Sequence, residues 1–302
     1  MSIDPGYAAA HLGIAGCFAT LGLWEMLPPD SAFGRVKVAA ARALAIEGSI
    51  GAAHLLLGVA ALADRHWDLA RRHFQLAENL PATDSSPFGL GFYYVLDGRP
   101  DAALRYVHER LARDPLSAIE RTQAAALHVA LGRFDSATTL LDEALDLDDQ
   151  VPMTLVWLGF CRGVQGRFDE AVPLLRRAAD RGLAWALSYL VCVLVRAKAA
   201  DRARAVHAEL EQAAAERHVS PMCLAVSHAA LGHEDRCLEL LSRAEHDRSP
   251  TYAMFLLGPG YLALSPDWLR RWCESRKGHV GLTEGPTVRA GGVLADRARR
   301  PR

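Results

Sequence analysis

The chain has 302 residues, 51% hydrophobic and 23% charged, with a formal net charge of −1. Those proportions exclude an intrinsically disordered chain, which needs fewer apolar residues and a larger net charge. A chain so close to neutral also has no overall field to draw it to nucleic acid or to an acidic membrane.

The N-terminus, MSIDPGYAAAHLG, has no basic segment ahead of an apolar core, so no signal peptide is expected. Tyr7 to Trp24 carries no formal charge, but glycine, alanine and His11 leave it only weakly apolar. It reads as a buried helix. Eleven residues after Gly22, LWEMLPPDSAF, form an insertion before the next regular pattern. From there a repeat is visible. Gly98, Gly132 and Gly166 are 34 residues apart, and Ala103, Ala137 and Ala171 keep the same step. The register runs back to Ala70 and forward to Ala203 and Cys237. About seven units begin near Tyr7, Gly51, Asp84, Ala118, Pro152, Ala184 and His218. A period of this length marks a solenoid whose units cannot bury their apolar faces alone.

Each unit predicts two short amphipathic helices around a tight turn. Glycine at the turn supplies a left-handed residue without a Cβ clash. Arg65 and Lys198 hold that position in the second and sixth units. Small residues mark where paired helices touch: Gly91, Ala125, Gly159 and Ala225 on first helices, and Ala103, Ala137 and Ala171 on second ones. Asp114-Pro115 supplies a stop between units. Leu183 to Val195 is strongly apolar but only 13 residues long, between Arg181 and Arg196. A membrane span needs about 20 residues, so a buried helix is expected there. No stretch alternates with period two, so no strands are expected. Pro266 to Cys273 reads as a cap, with Trp268 and Trp272 over the last unit. From Lys277 glycine, proline and arginine dominate. The chain therefore divides into a solenoid over residues 1–276 and a disordered basic tail over 277–302.

Leu90-Gly91-Phe92-Tyr93-Tyr94 with Gly98 and Ala103, and Leu158-Gly159 with Gly166, Phe168, Ala171 and Ala178, resemble the tetratricopeptide repeat. The Pro-Pro insertion, His66 to Phe74, and Arg217 to Pro250 resemble more narrowly the repeat region of bacterial one-component signalling proteins. In those, the array follows a winged-helix, class III cyclase or Ser/Thr kinase domain. Their array closes with an Asp-Pro-Arg-Phe segment, here drifted to Gly258-Pro259-Gly260-Tyr261. The resemblance implies an all-α, right-handed superhelical solenoid of about seven helical hairpins with a C-terminal capping helix. It also implies a sensory or interaction role in the bacterial cytoplasm.

Catalytic signatures are missing. No nucleophile elbow, Walker loop or kinase signature occurs. The six cysteines form no C-x-x-C pair and read as buried free thiols of a reducing compartment. Twelve histidines form no H-E-x-x-H or Cys/His cluster, and His228 and His233 flank a turn and are expected to point apart. No metal and no cofactor are expected.

In the resembled fold, first helices line a concave face. The matching positions form an apolar, aromatic groove at Phe88, Phe92, Met153, Trp157, Phe160, Trp185, Tyr189 and Met222. The Lys, Asn and Arg residues of a two-carboxylate clamp are absent. Two states of this face stay open: a groove for a partner, or an inner face filled by the chain itself. The expected partner is a protein or peptide. The alternative is an apolar small molecule, or an enzyme recruited from the scaffold. Direct nucleic-acid binding and membrane insertion are not expected.

Overall fold

The computed structural model describes residues 6–80 and 89–276. The expected basic tail at 277–302 and Phe88 lie outside the described residues. Among those described, the chain is helical with no strand.

Seven hairpins follow one another: α1 (Ala8–Leu23) with α2 (Pro29–Ile46), α3 (Gly51–Ala63) with α4 (Trp67–Glu78), and α5 (Gly89–Leu96) with α6 (Pro100–Arg113). The series continues with α7 (Ala118–Ala130) and α8 (Phe134–Leu147), α9 (Pro152–Val164) and α10 (Phe168–Asp180), α11 (Ala184–Arg196) and α12 (Ala200–Glu216), and α13 (Pro221–Ala230) and α14 (Glu234–His246). Each first helix also packs on the first helix of the next unit, and most second helices pack on the following first helix. That is the stacking of an all-α repeat solenoid.

The sequence explains the division of labour within a hairpin. On α10 only Ala171, Leu175 and Ala178 are buried, one stripe with charge on the other faces. On α9 every residue from Thr154 to Gly163 is buried, because partners surround the first helices. The expected small residues lie where helices cross: Ala103, Ala125, Ala137, Ala171 and Ala225 are fully buried. Prolines begin several helices, where a missing N–H leaves no bond unmade: Pro100 on α6, Pro152 on α9, Pro221 on α13. Ser117 caps α7 by accepting the Glu120 N–H at 3.2 Å.

The turns keep one geometry whatever residue occupies them. Gly98, Gly132, Gly166 and Gly232 have φ between +71° and +80°. Arg65 and Lys198 both sit at +60° in the same place. Packing of the flanking helices therefore imposes a left-handed residue even where the side chain resists it, at about 1–2 kcal/mol.

The array does not end at its seventh hairpin. A further helix, α15 (Pro250–Leu257), a one-turn 3-10 helix (Pro259–Leu262) and α16 (Asp267–Arg276) follow. The α16 helix caps the end, burying Leu269 and Cys273, while Trp268 and Trp272 pack half-buried at its sides. The α15 helix does something else: it brings the end of the array to its beginning. The buried Glu25 carboxylate, in the α1–α2 turn, accepts the Ser249 and Thr251 hydroxyls and the Thr251 N–H. Arg65, in the α3–α4 turn, donates to the Glu245 carbonyl at 2.8 Å and lies 5.7 Å from the Tyr252 ring centre. The inner face is thus walled on both sides.

Candidate functional site on the concave face

The sequence-derived groove residues come together, but under cover. Phe92 on α5, Trp157 and Phe160 on α9, Trp185 and Tyr189 on α11, and Met222 on α13 are all buried, and Met153 is half-buried. Their cover is the segment after α14. Phe255 stacks on Trp185 with centroids 5.5 Å apart, and Tyr261 stacks on Phe255 at 5.7 Å. Tyr261 reaches onward to Trp157 at 5.5 Å and to Phe92 at 6.1 Å. Behind them Tyr189 meets Phe160 at 4.8 Å and Trp157 at 6.1 Å. The Tyr261 hydroxyl donates to the Ala126 carbonyl at 3.3 Å. Along this half, the inner face is filled by the chain itself.

Gly260 lets that happen. A Cβ at this position would overlap the Val129 carbonyl oxygen, so only glycine brings the 3-10 turn onto the end of α7. Sequence reasoning missed Phe255 and Tyr261 as part of the concave face. Their signal was present: Thr251 to Leu264 has no charged residue and begins where the 34-residue step stops.

The other half of the face is open. A cavity of about 380 Å³ lies between α1, α3, α7 and α9. Leu12, Leu56, Ile119, Met153 and Trp157 give it apolar walls, and Thr20, Thr122 and Gln123 add polar atoms. Leu56, Ile119, Thr122 and Gln123 stand at positions where the repeat register expects inward-facing residues. Leu12 on the α1 wall stands in the same register, five residues after Tyr7 as Leu56 is five after Gly51, and sequence reasoning passed over it. The Thr122 hydroxyl donates to the Ala118 carbonyl at 2.8 Å and pairs with Thr154 at 2.7 Å. The Trp157 indole N–H is buried and has no acceptor among the described residues.

The wall of this cavity combines apolar side chains with hydroxyls and the Gln123 amide. None of its lining side chains is an acid, a base or a thiol. Elsewhere burial pushes the Cys161, Cys192 and Cys237 thiols up to about 12, so none supplies a thiolate near neutral pH.

One expectation needs correction. His228 and His233 do not point apart: their Nδ1 atoms are 3.1 Å from each other. The turn explains it. The His233 N–H bonds back to the His228 carbonyl at 2.9 Å while Gly232 adopts φ +80°, so both side chains return to one side. His207 on α12 joins them, its ring centre 4.4 Å from that of His228.

No helix among the described residues is long and apolar enough to cross a membrane. No protein-family model matches the chain, and no curated protein matches it. Solved structures do. The chain is similar to a Rap protein complexed with competence and sporulation factor, at 13% identity over 90% of this chain and 97% of that one, with a TM-score of 0.58. It is also similar to a tetratricopeptide repeat protein from Parabacteroides merdae, at 13% identity over 80% of this chain and 97% of that one, with a TM-score of 0.53. The fold is accordingly that of a tetratricopeptide-type helical repeat protein.

Proposed function

We propose that the chain is a non-catalytic interaction module of bacterial regulation, acting in the cytoplasm and receiving a protein or peptide segment in the open half of its concave face. The observation that carries this reading is the cavity between α1, α3, α7 and α9: apolar walls, a few polar atoms and no ionisable side chain. Exposed apolar surface that is concave and rimmed by polar groups marks binding sites. The buried Trp157 N–H would gain an acceptor from a backbone carbonyl of the segment. The closing contacts from Glu25 and Arg65 hold the two walls at fixed separation, which lowers the ordering cost of binding. The resemblance to the repeat regions of winged-helix, cyclase and kinase signalling proteins supplies the regulatory context. Of the eight residues first read as a groove, Met153 and Trp157 line this cavity, while Phe92, Trp185 and Tyr189 support the segment that fills the other half.

The cavity volume also falls in the range that holds small ligands, which favours a second reading as a receptor for an apolar small molecule. One experiment separates the two. A photo-crosslinking residue is placed at Ile119, in the cavity wall, and another at Leu76, exposed on α4. Capture of a polypeptide from position 119 and none from 76 is expected. Capture from 76 alone would overturn the assignment of the site. A small molecule retained in native mass spectra, with no polypeptide captured at 119, would replace the first reading by the second.

A further inference from the structure

The three histidines that converge at the last hairpin serve no purpose in the interaction site described above. One ring nitrogen from each of His207, His228 and His233 lies within 4.8 Å of the others. Glu211, one turn after His207 on α12, brings Oε1 to 3.5 Å from His207 Nε2 and 3.6 Å from His228 Nε2. His207 and His228 are buried, while His233 is exposed. Around a tetrahedral zinc with bonds of about 2.0–2.1 Å, ligand nitrogens lie about 3.3 Å apart, so the three rings need only small rotations. We propose that His207, His228 and His233 form a binding site for a divalent transition-metal ion, with zinc the best fit to three imidazoles and a fourth position left to solvent.

Several features support this assignment. The His207 Nδ1 pairs with the buried Ser227 hydroxyl at 3.1 Å, which fixes the ring and leaves Nε2 facing the cluster. Metal-bound imidazoles are held by such a second contact. Arg236, a cation that acts on His228, has its guanidinium engaged by Glu239 at 2.5 Å.

The repeat itself supplies a control. Three units earlier, His128 holds the same position as His228 and meets His108 of the preceding second helix, with ring centres 6.2 Å apart. There the residue after the turn glycine is Arg133 in place of His233, and the residue four after His108 is Ala112 in place of Glu211. Burial pushes the His128 pKa down, and His108 and Arg133 add to that. The earlier unit thus has a histidine pair, where the last has a third imidazole and a nearby carboxylate. A bound ion would tie α12 to the α13–α14 turn and stiffen the end of the array from which α15 departs.

The test uses the full chain, freed of metal by chelation and dialysed against Zn²⁺, with bound zinc measured by elemental analysis and thermal melting recorded in parallel. One zinc per chain and a raised melting temperature are expected. His233→Ala, at an exposed position, should fold as the parent does and bind zinc at least tenfold more weakly. His207→Gln should do the same, and its circular dichroism reports separately on folding. His108→Ala, and His73→Ala on α4, whose Nδ1 lies 3.1 Å from that of His54 on α3, should change neither stoichiometry nor affinity. Absence of bound zinc, or zinc retained in full by folded His233→Ala, would overturn the proposal.

Discussion

The two halves of the concave face begin from the same kind of sequence and end differently. Along α5, α9 and α11 the inward aromatics are buried beneath Phe255 and Tyr261. Between α1, α3, α7 and α9, apolar side chains with Thr20, Thr122 and Gln123 among them border a cavity of about 380 Å³. What separates them is a segment up to 169 residues away in the chain, as Tyr261 is from Phe92, plus one glycine that lets it approach α7. An inward-facing apolar residue in a solenoid is therefore core or site depending on whether the end of the array returns to it.

The largest expected effect lies in the filled half. Tyr261→Ala removes a ring that touches Phe92, Trp157 and Phe255, and should cost about 3–5 kcal/mol in denaturant unfolding. Trp157→Ala and Trp185→Ala belong to the same class, so truncating them should cost as much as truncating Leu158. In the open half, Ile119→Ala should shift the midpoint little, because that side chain is 57% exposed. Equal costs in the two halves would erase the distinction drawn between them.

Much of the fold was legible in the sequence. The 34-residue step located the first helices of the fourth, fifth and sixth hairpins to the residue: Ala118, Pro152 and Ala184. It worked because each unit repeats the same local physics: a small crossing residue, a left-handed turn and a helix start. The site was legible only as a list of inward positions. Which of them stay open depends on contacts such as Glu25 with Thr251, 226 residues apart, and no local pattern encodes those. The histidine cluster was hidden for a related reason. Its ligands come from two units, and only the geometry of the Gly232 turn shows that His228 and His233 share a side.

A pH titration sharpens the comparison between repeats. Burial lowers the His128 pKa to about 4, below the ordinary value of 6.5. Between those values the unfolded chain takes up a proton that the folded chain excludes. Stability should therefore fall as pH drops from about 6.5 towards 4, by up to about 1.4 kcal/mol per pH unit for this group. His128→Asn should reduce that slope by up to one proton, and an unchanged slope would show that His128 is protonated in the fold.

The smallest effect concerns the turns. Lys198 is left-handed where sister units use glycine. Lys198→Gly should stabilise the chain by about 1 kcal/mol, read as a higher denaturation midpoint. The same change at Arg65 should gain less, because Arg65 also donates to the Glu245 carbonyl. An equal gain at both turns would mean that contact is worth nothing.

Amide hydrogen exchange over residues 250–262 tests the central distinction most directly. If this segment fills the concave face, its amides should be protected to nearly the same degree as those of α9 and α11, against which it packs. Exchange of 250–262 at the rate of an open chain, while α9 and α11 stay protected, would show that this half of the face is open as well.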